Sequence, residues 1–354
     1  MFLNEIRDSV RRVVSAGPLA PDRADAWRTT AELGWLLVSV PEARGGLGLS
    51  LEQSAAVHYE VGGALWTAPL FSSLFAAYAA SASDRLAREP SREACFARGG
   101  CAASSLTHAK ADFDGGCLNG LLTAVTDADI AERLLVFGDG VFAFIDLGAE
   151  GVETIPRDTW DETRKLFDVR LTDVKIKEES VIAVQDAANH MAVEYESALL
   201  LALAADSLGG ANTVLAMTVE YLKTRMQFGR PLAMFQALKH RCADLKIRHR
   251  AAEALLWSYA QDQEAGRVDY GGLKALCCDL YEEICQEAIQ LHGGIAVTEE
   301  YDCHRFLKRA TLNSQLGGLS DHWDALVGSE KLSAFSDAGS SHLRVSPALL
   351  SRNQ

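Results

Sequence analysis

The sequence predicts an α+β chain of several domains. These are an N-terminal helical domain over 1–93, a middle β-barrel or sandwich domain over 94–184, a C-terminal four-helix bundle over 185–334, and a loose tail over 335–354. Three observations predict it. Ala-rich stretches with helical periodicity fill the first part. Between about 95 and 180 the apolar period shortens towards two. After about 185 the helical pattern returns and lasts to about 333.

In the first part, Gln53–Gly63 and Phe71–Ser81 read as helices, with turns at Pro41, Gly45-Gly46 and Pro69. In the second, Arg133–Phe137 and Val141–Ile145 read as strands joined at Gly138-Asp139-Gly140. Asp114-Gly115-Gly116 reads as another hairpin turn, and Leu166–Val174 as a further strand. In the third, helices are expected at about 186–226, 234–264, 269–292 and 318–333. Pro231 and the Gly266–Gly272 region supply the breaks. The tail from 335 is rich in Ser, Ala and Gly, a composition expected to be loose.

Composition narrows the function. The 354 residues are 48% hydrophobic and 23% charged, ordinary for a soluble globular protein. A formal net charge of −14 argues against a general nucleic-acid binder, although it is compatible with one local basic pocket for a dinucleotide. The eight cysteines stand at 95, 101, 117, 242, 277, 278, 285 and 303 with no CxxC pair. Reduced thiols are therefore expected, with Cys277 and Cys278 as small core residues and no metal site. No signal peptide is read at the start, and no uninterrupted apolar run reaches about 18 residues. The expectation is a cytoplasmic protein without a membrane partner.

Two phrases carry chemistry. Tyr221-Leu-Lys-Thr-Arg225-Met-Gln227-Phe228-Gly229-Arg-Pro231-Leu232 puts a guanidinium on a helix that breaks at a Gly-Arg-Pro turn. Arg225 offers planar, permanently charged donors to a pyrophosphate, Gln227 adds a neutral donor, and Phe228 can cover an apolar part of a cofactor. Gln290-Leu-His292-Gly293-Gly294 places an amide before a glycine pair whose bare backbone a ligand can approach. His292 has no second ligand at metal spacing and reads as a packing residue or a cofactor contact. Glu299-Glu300, Arg305 and Lys308-Arg309 read as a solvated or salt-bridged polar face.

Together these phrases resemble the FAD-binding elements of the acyl-CoA dehydrogenase family. Phe235-Gln236, His240-x-x-Ala-Asp244 and the phrase Glu32–Leu49 stand where that family has similar residues. The resemblance implies helical, β and four-helix-bundle domains. It also implies that Arg225, Gln227, Phe228, Gln290, Gly293 and Gly294 serve the ADP half of an FAD on a neighbouring subunit. An acyl-CoA substrate and an electron-transfer flavoprotein-type acceptor follow from the same resemblance.

The family's catalytic carboxylate is missing. Members take a Glu either from a turn before the last helix or from the first bundle helix. Those positions fall here on Gly317 and Leu199. Glu194, Glu196 and Asp321 are the nearest carboxylates, and Glu196, three residues from Leu199, is the best placed. The family's Thr-Glu-Pro-like segment is replaced near Cys101–Thr107, and its Trp-Ile-Ser/Thr is not recognisable. Ser104, Ser105, Thr107 and Thr126 read as ordinary strand and turn residues that could still reach a flavin edge. The pattern resembles the catalytically degenerate partner in heterotetrameric, steroid-type acyl-CoA dehydrogenases. The alternatives are a self-sufficient homo-oligomeric enzyme with Glu196 as relocated base, and a cofactor-free structural subunit.

Overall fold

A computed structural model describes residues 3–83, 102–107, 110–262 and 264–342, with side chains described through 333. The expected domain boundary at 93/94 and Cys95 and Cys101 lie outside the described residues.

The N-terminal part holds α1 (Leu3–Val14), α2 (Arg23–Glu32), α3 (Leu51–Gly63) and α4 (Leu70–Ala82). Ile6, Val10 and Val14 recur one turn apart on α1 and are its buried residues. Asp22 caps α2 by accepting from Ala24 and Asp25 N–H groups, and Ser50 with Gln53 forms a capping box on α3.

The middle part is a sandwich of two four-stranded sheets, with no closed barrel among the described residues. One sheet runs β1 (Ala102–Ser104), β4 (Arg133–Gly138), β5 (Val141–Asp146), β8 (Val181–Val184). The other runs β2 (Asp112–Asp114), β3 (Cys117–Thr126), β7 (Leu166–Lys175), β6 (Val152–Arg157). The β4–β5 hairpin turns at Asp139-Gly140, the residue pair that suits a right-twisted two-residue loop. Leu118, Leu122 and Val169 from one sheet meet Leu134, Val136 and Ala143 from the other. Strands β1, β6 and β8 were not foreseen: two are very short, and β6 carries Glu, Thr, Pro and Arg.

The C-terminal part holds α5 (Asp186–Thr224), α6 (Gln236–Gln261), α7 (Arg267–His292), α8 (Cys303–Gln315) and α9 (Ser320–His342). Helix α8 adds to the four long helices expected and falls where Arg305 and Lys308-Arg309 read as the polar face of a turn and helix. Helix α9 continues past position 335, where the composition predicts a loose tail. Gly271 and Gly272 do not break a helix; they lie inside α7. A Cβ on Gly271 would stand 1.9 Å from the Trp323 ring, so this glycine admits α9. Cys277 and Cys278 are fully buried, as expected.

Helix α5 is long and apolar enough to cross a membrane by composition, but 83% of its most apolar window is buried within the fold. It is the central strut. A Cβ on Gly62 would meet the Asp206 carbonyl at 2.3 Å, and one on Gly209 would meet the Tyr59 carbonyl at 1.8 Å. Helices α3 and α5 therefore cross backbone against backbone.

The three parts meet at a buried cluster that corrects, for Arg309, the expectation of a solvated or salt-bridged surface face. Arg309 is 1% exposed. Its Nε donates to Asp161 Oδ2 at 2.8 Å, its Nη1 to Asp206 Oδ1 at 3.2 Å, and its Nη2 to the Trp66 carbonyl at 3.0 Å. Arg164 approaches Asp206 at 3.1 Å, and Asn313 donates to Asp206 Oδ2 at 2.8 Å. Burial pushes both aspartic carboxyls up, but the two guanidiniums outweigh it and hold them below the ordinary range. Arg305 stays on the surface with Asp302, so the misjudged residue is Arg309 alone.

Removing one member of such a buried pair leaves an uncompensated charge. Arg309→Met should cost about 3–5 kcal/mol in chemical denaturation. Breaking the exposed Arg28–Asp25 pair should change stability by less than about 1 kcal/mol.

Candidate active site and cofactor-binding surface

A cavity of about 320 Å³ opens where the β sandwich meets α5, the start of α7 and the turn after α8. Ala192, Glu196 and Leu199 face it from α5, spaced as one side of a helix, and Gly317 closes it from the turn. Leu199 and Gly317, far apart in sequence and expected from the family resemblance to hold the base, therefore line one cavity, and neither can take a proton.

The Gly317 turn is fixed from several sides. Gly317 N–H donates to the Leu106 carbonyl at 3.0 Å, and Trp323 Nε1 donates to the Gly317 carbonyl at 2.8 Å. Lys274, fully buried in α7, donates to the carbonyls of Ser314 and Gly318 at 2.8 and 2.7 Å. Burial lowers the Lys274 pKa from the usual lysine value. Gly317 itself has φ +64°, and an added Cβ would sit 3.1–3.2 Å from the tips of Leu203 and Leu200. Backbone and packing both favour glycine there.

Of the three nearby carboxylates, only Glu196 lines this cavity. Its oxygens lie 3.2–3.3 Å from Arg267 Nη1, and the Arg267 guanidinium sits over the Trp323 ring. Glu194 faces a second cavity of about 470 Å³ between α3, α4 and α5, beside His190 at 3.5 Å. Asp321 is exposed in the first turn of α9.

The hydroxyls on the cavity's β-side are engaged with protein groups. Tyr195 Oη is 2.7 Å from Ser104 Oγ and 2.6 Å from the Ser105 carbonyl. Ser104 donates to Ser72 Oγ at 2.7 Å, and Ser72 lies 2.6 Å from Thr126 Oγ1. Ser105 donates to the Thr123 carbonyl at 2.7 Å.

The six cofactor-type residues lie elsewhere, and none lines either cavity. Helix α5 ends at Thr224, so Arg225 caps the helix and does not ride on it. Met226–Gln227 (β9) then pairs antiparallel with Arg230–Pro231 (β10). The connecting turn has φ +52° at Phe228 and +75° at Gly229, and it holds Phe228 86% exposed. Arg225, Gln227, Gln290, Gly293 and Gly294 are exposed too. Gly293 has φ +71°, and a Cβ on either glycine would meet nothing within 4 Å. The structure brings the two phrases together. Tyr221 stacks on His292 with centroids 4.3 Å apart, and its hydroxyl donates to the His292 carbonyl at 3.2 Å. His292 itself is buried, with Nδ1 2.8 Å from the Ala288 carbonyl, and burial lowers its pKa. It packs the junction.

Known proteins share this architecture. The acyl-CoA dehydrogenase N-terminal domain family model matches residues 1–91, and the C-terminal domain model matches residues 200–326. The Mycobacterium tuberculosis protein described as acyl-CoA dehydrogenase IpdE2 is 32% identical over 324 residues, covering 88% of this chain and 91% of the relative. This chain belongs to the acyl-CoA dehydrogenase family. Among solved structures, the ChsE4-ChsE5 complex from Mycobacterium tuberculosis has the same fold, with a TM-score of 0.83 at 21% identity over 93% of this chain and 97% of that one. The Tcur3481-Tcur3483 steroid ACAD G363A variant gives 0.81 at 26% identity over 94% and 98%.

Sequence reasoning missed Arg309, Lys274 and Tyr195. A usable signal existed for two of them. Arg309 falls three residues after Phe306 and four before Asn313, on the buried face of α8. Lys274 interrupts an apolar stretch, Leu273 to Cys278.

Restoring the family carboxylate at the turn should not be neutral. Gly317→Glu should lower stability by about 1–3 kcal/mol through positive φ and crowding against α5, measured as a shift in denaturation midpoint. A midpoint equal to wild type would mean that the turn relaxes freely.

Proposed function

We propose that this chain is a subunit of an FAD-dependent acyl-CoA dehydrogenase assembly and lends its exposed cofactor surface to a homologous catalytic partner. One observation carries the reading. Leu199 and Gly317, where the family resemblance places the base, converge on a cavity whose one lining carboxylate, Glu196, is paired with Arg267, while the six cofactor-type residues face outward. In the shared site, Arg225 would hold the FAD pyrophosphate, with Gln227 and Gln290 as neutral donors. Phe228 would cover an apolar part of the cofactor, and the bare backbone at Gly293 and Gly294 would admit the ADP half. The donor set fits that group: it is cationic, open and free of Cβ obstruction at both glycines.

Bound FAD supplies hydride acceptance from the β-carbon of an acyl-CoA thioester while a carboxylate takes the α-proton. The partner provides that carboxylate. The ChsE4-ChsE5 and Tcur3481-Tcur3483 structures support a heteromeric assembly, and the family resemblance makes an electron-transfer flavoprotein-type protein the onward acceptor. A self-sufficient enzyme is the second reading, because Glu196 does line the cavity.

The test compares the chain alone with the chain co-expressed with a homologous subunit. Arg225→Ala in the complex should weaken FAD binding tenfold or more, the loss of a charge-assisted contact of about 1.5–3 kcal/mol. Arg225→Lys should recover only part of it. The isolated chain should show no acyl-CoA-dependent bleaching of flavin. Bleaching in the isolated chain that Glu196→Gln abolishes would establish the self-sufficient reading. A complex with no flavin at all would leave a structural subunit.

A further inference from the structure

We propose that Tyr195 is a built-in occupant of this chain's own isoalloxazine pocket, filling the space and taking the hydrogen bonds that a flavin ring would need there. The inference rests on the reading above and names the residue that makes this chain a lender of cofactor contacts and not a holder of flavin.

The family resemblance places a flavin-contacting segment near Cys101–Thr107, at β1 and the residues after it, and Thr126 at the end of β3 is a further hydroxyl that could reach a flavin edge. Their polar groups are already engaged. Tyr195 Oη contacts Ser104 Oγ and the Ser105 carbonyl, Ser104 donates to Ser72, and Ser72 shares a hydrogen bond with Thr126. This chain of hydroxyls ties α5, β1, α4 and β3 together. Among the described residues, the buried side-chain atoms without a partner are His58 Nε2, His249 Nδ1 and Tyr281 Oη. No member of the hydroxyl chain is left waiting for a ligand.

The ring occupies space as well. Tyr195 is 4% exposed and stands edge-on to Phe71 at 5.4 Å and Phe75 at 5.0 Å, with Phe137 at 4.9 Å. Phe137 stacks in turn on Phe142 of the adjacent strand at 4.2 Å. One helical turn separates Tyr195 from Leu199, so both project towards the same cavity. A planar ring pressed against β1 would have to displace the phenol and break its two contacts. The cost of taking away the donor to the buried Ser105 carbonyl, and one of the two contacts of Ser104, opposes that exchange.

Lumiflavin, which has the isoalloxazine ring without the ADP half, tests this pocket separately from Arg225. Quenching of its fluorescence by the purified full chain should be unsaturable for wild type. Tyr195→Ala should bring saturable binding, one lumiflavin per chain and at least tenfold tighter than wild type. Tyr195→Phe, which keeps the ring, should not. A merely structural tyrosine would lose stability on truncation without gaining flavin affinity. Should Tyr195→Ala not melt cooperatively, Tyr195→Leu decides by the same readout. Saturable one-to-one binding by wild type overturns the proposal, as does a folded truncation variant that gains none. Neither result touches the shared-site reading, which stands or falls on FAD retention by Arg225→Ala in the complex.

Discussion

The buried contact between Arg309 and its two carboxylates is the constraint on which the rest of this structure depends. One guanidinium, on α8, reaches the Trp66 carbonyl of the N-terminal part, Asp161 of the β sandwich and Asp206 of α5. Each partner comes from a different layer, so their relative positions are set at one point. Asp206 stands there because α3 and α5 cross at Gly62 and Gly209 with no side chains between them. From that point α8 runs to the Gly317 turn and α5 runs back to Leu199 and Tyr195. The cavity is thus shaped by an ion cluster that does not line it.

A division of labour appears when the cavity and the outer surface are compared. At the cavity and the turn beside it, three polar groups are given to the protein: Tyr195 to Ser104, Glu196 to Arg267, Lys274 to the turn carbonyls. Outside, the hairpin and the glycine pair keep their groups turned to solvent, held steady by the Tyr221–His292 stack. Self-satisfaction in one place and availability in the other are what a subunit needs if it helps to bind a cofactor centred elsewhere.

Much of the fold was legible because long helices and β4, β5 and β7 carry strong periodic patterns. Helix α5 was predicted within two residues of its observed C-terminus, and the β4–β5 turn was read from Asp139-Gly140. Strand β1, of three residues, is too short to show a period, and β6 pairs through backbone groups while its side chains are half polar. The cofactor phrases were legible as phrases, but not their geometry. Arg225 leaves the helix because the turn at Phe228-Gly229 lets β9 pair with β10, a choice that local propensity does not reveal. Leu199 and Gly317 came separately from counting along the sequence, and only the fold brings both to one cavity. Arg309 was misread because a basic residue beside Lys308 looks solvated until its long-range acidic partners are known.

Phe228 also bears on how the isolated chain behaves. A non-glycine residue at positive φ carries backbone strain, and its ring is held 86% exposed at the tip of a two-residue turn. Neither feature stabilises a solitary chain, and both raise the free energy of an unassembled one. Such a tip gains free energy whenever a complementary surface covers it. Retention of the isolated chain on a hydrophobic matrix is then set in part by this one side chain.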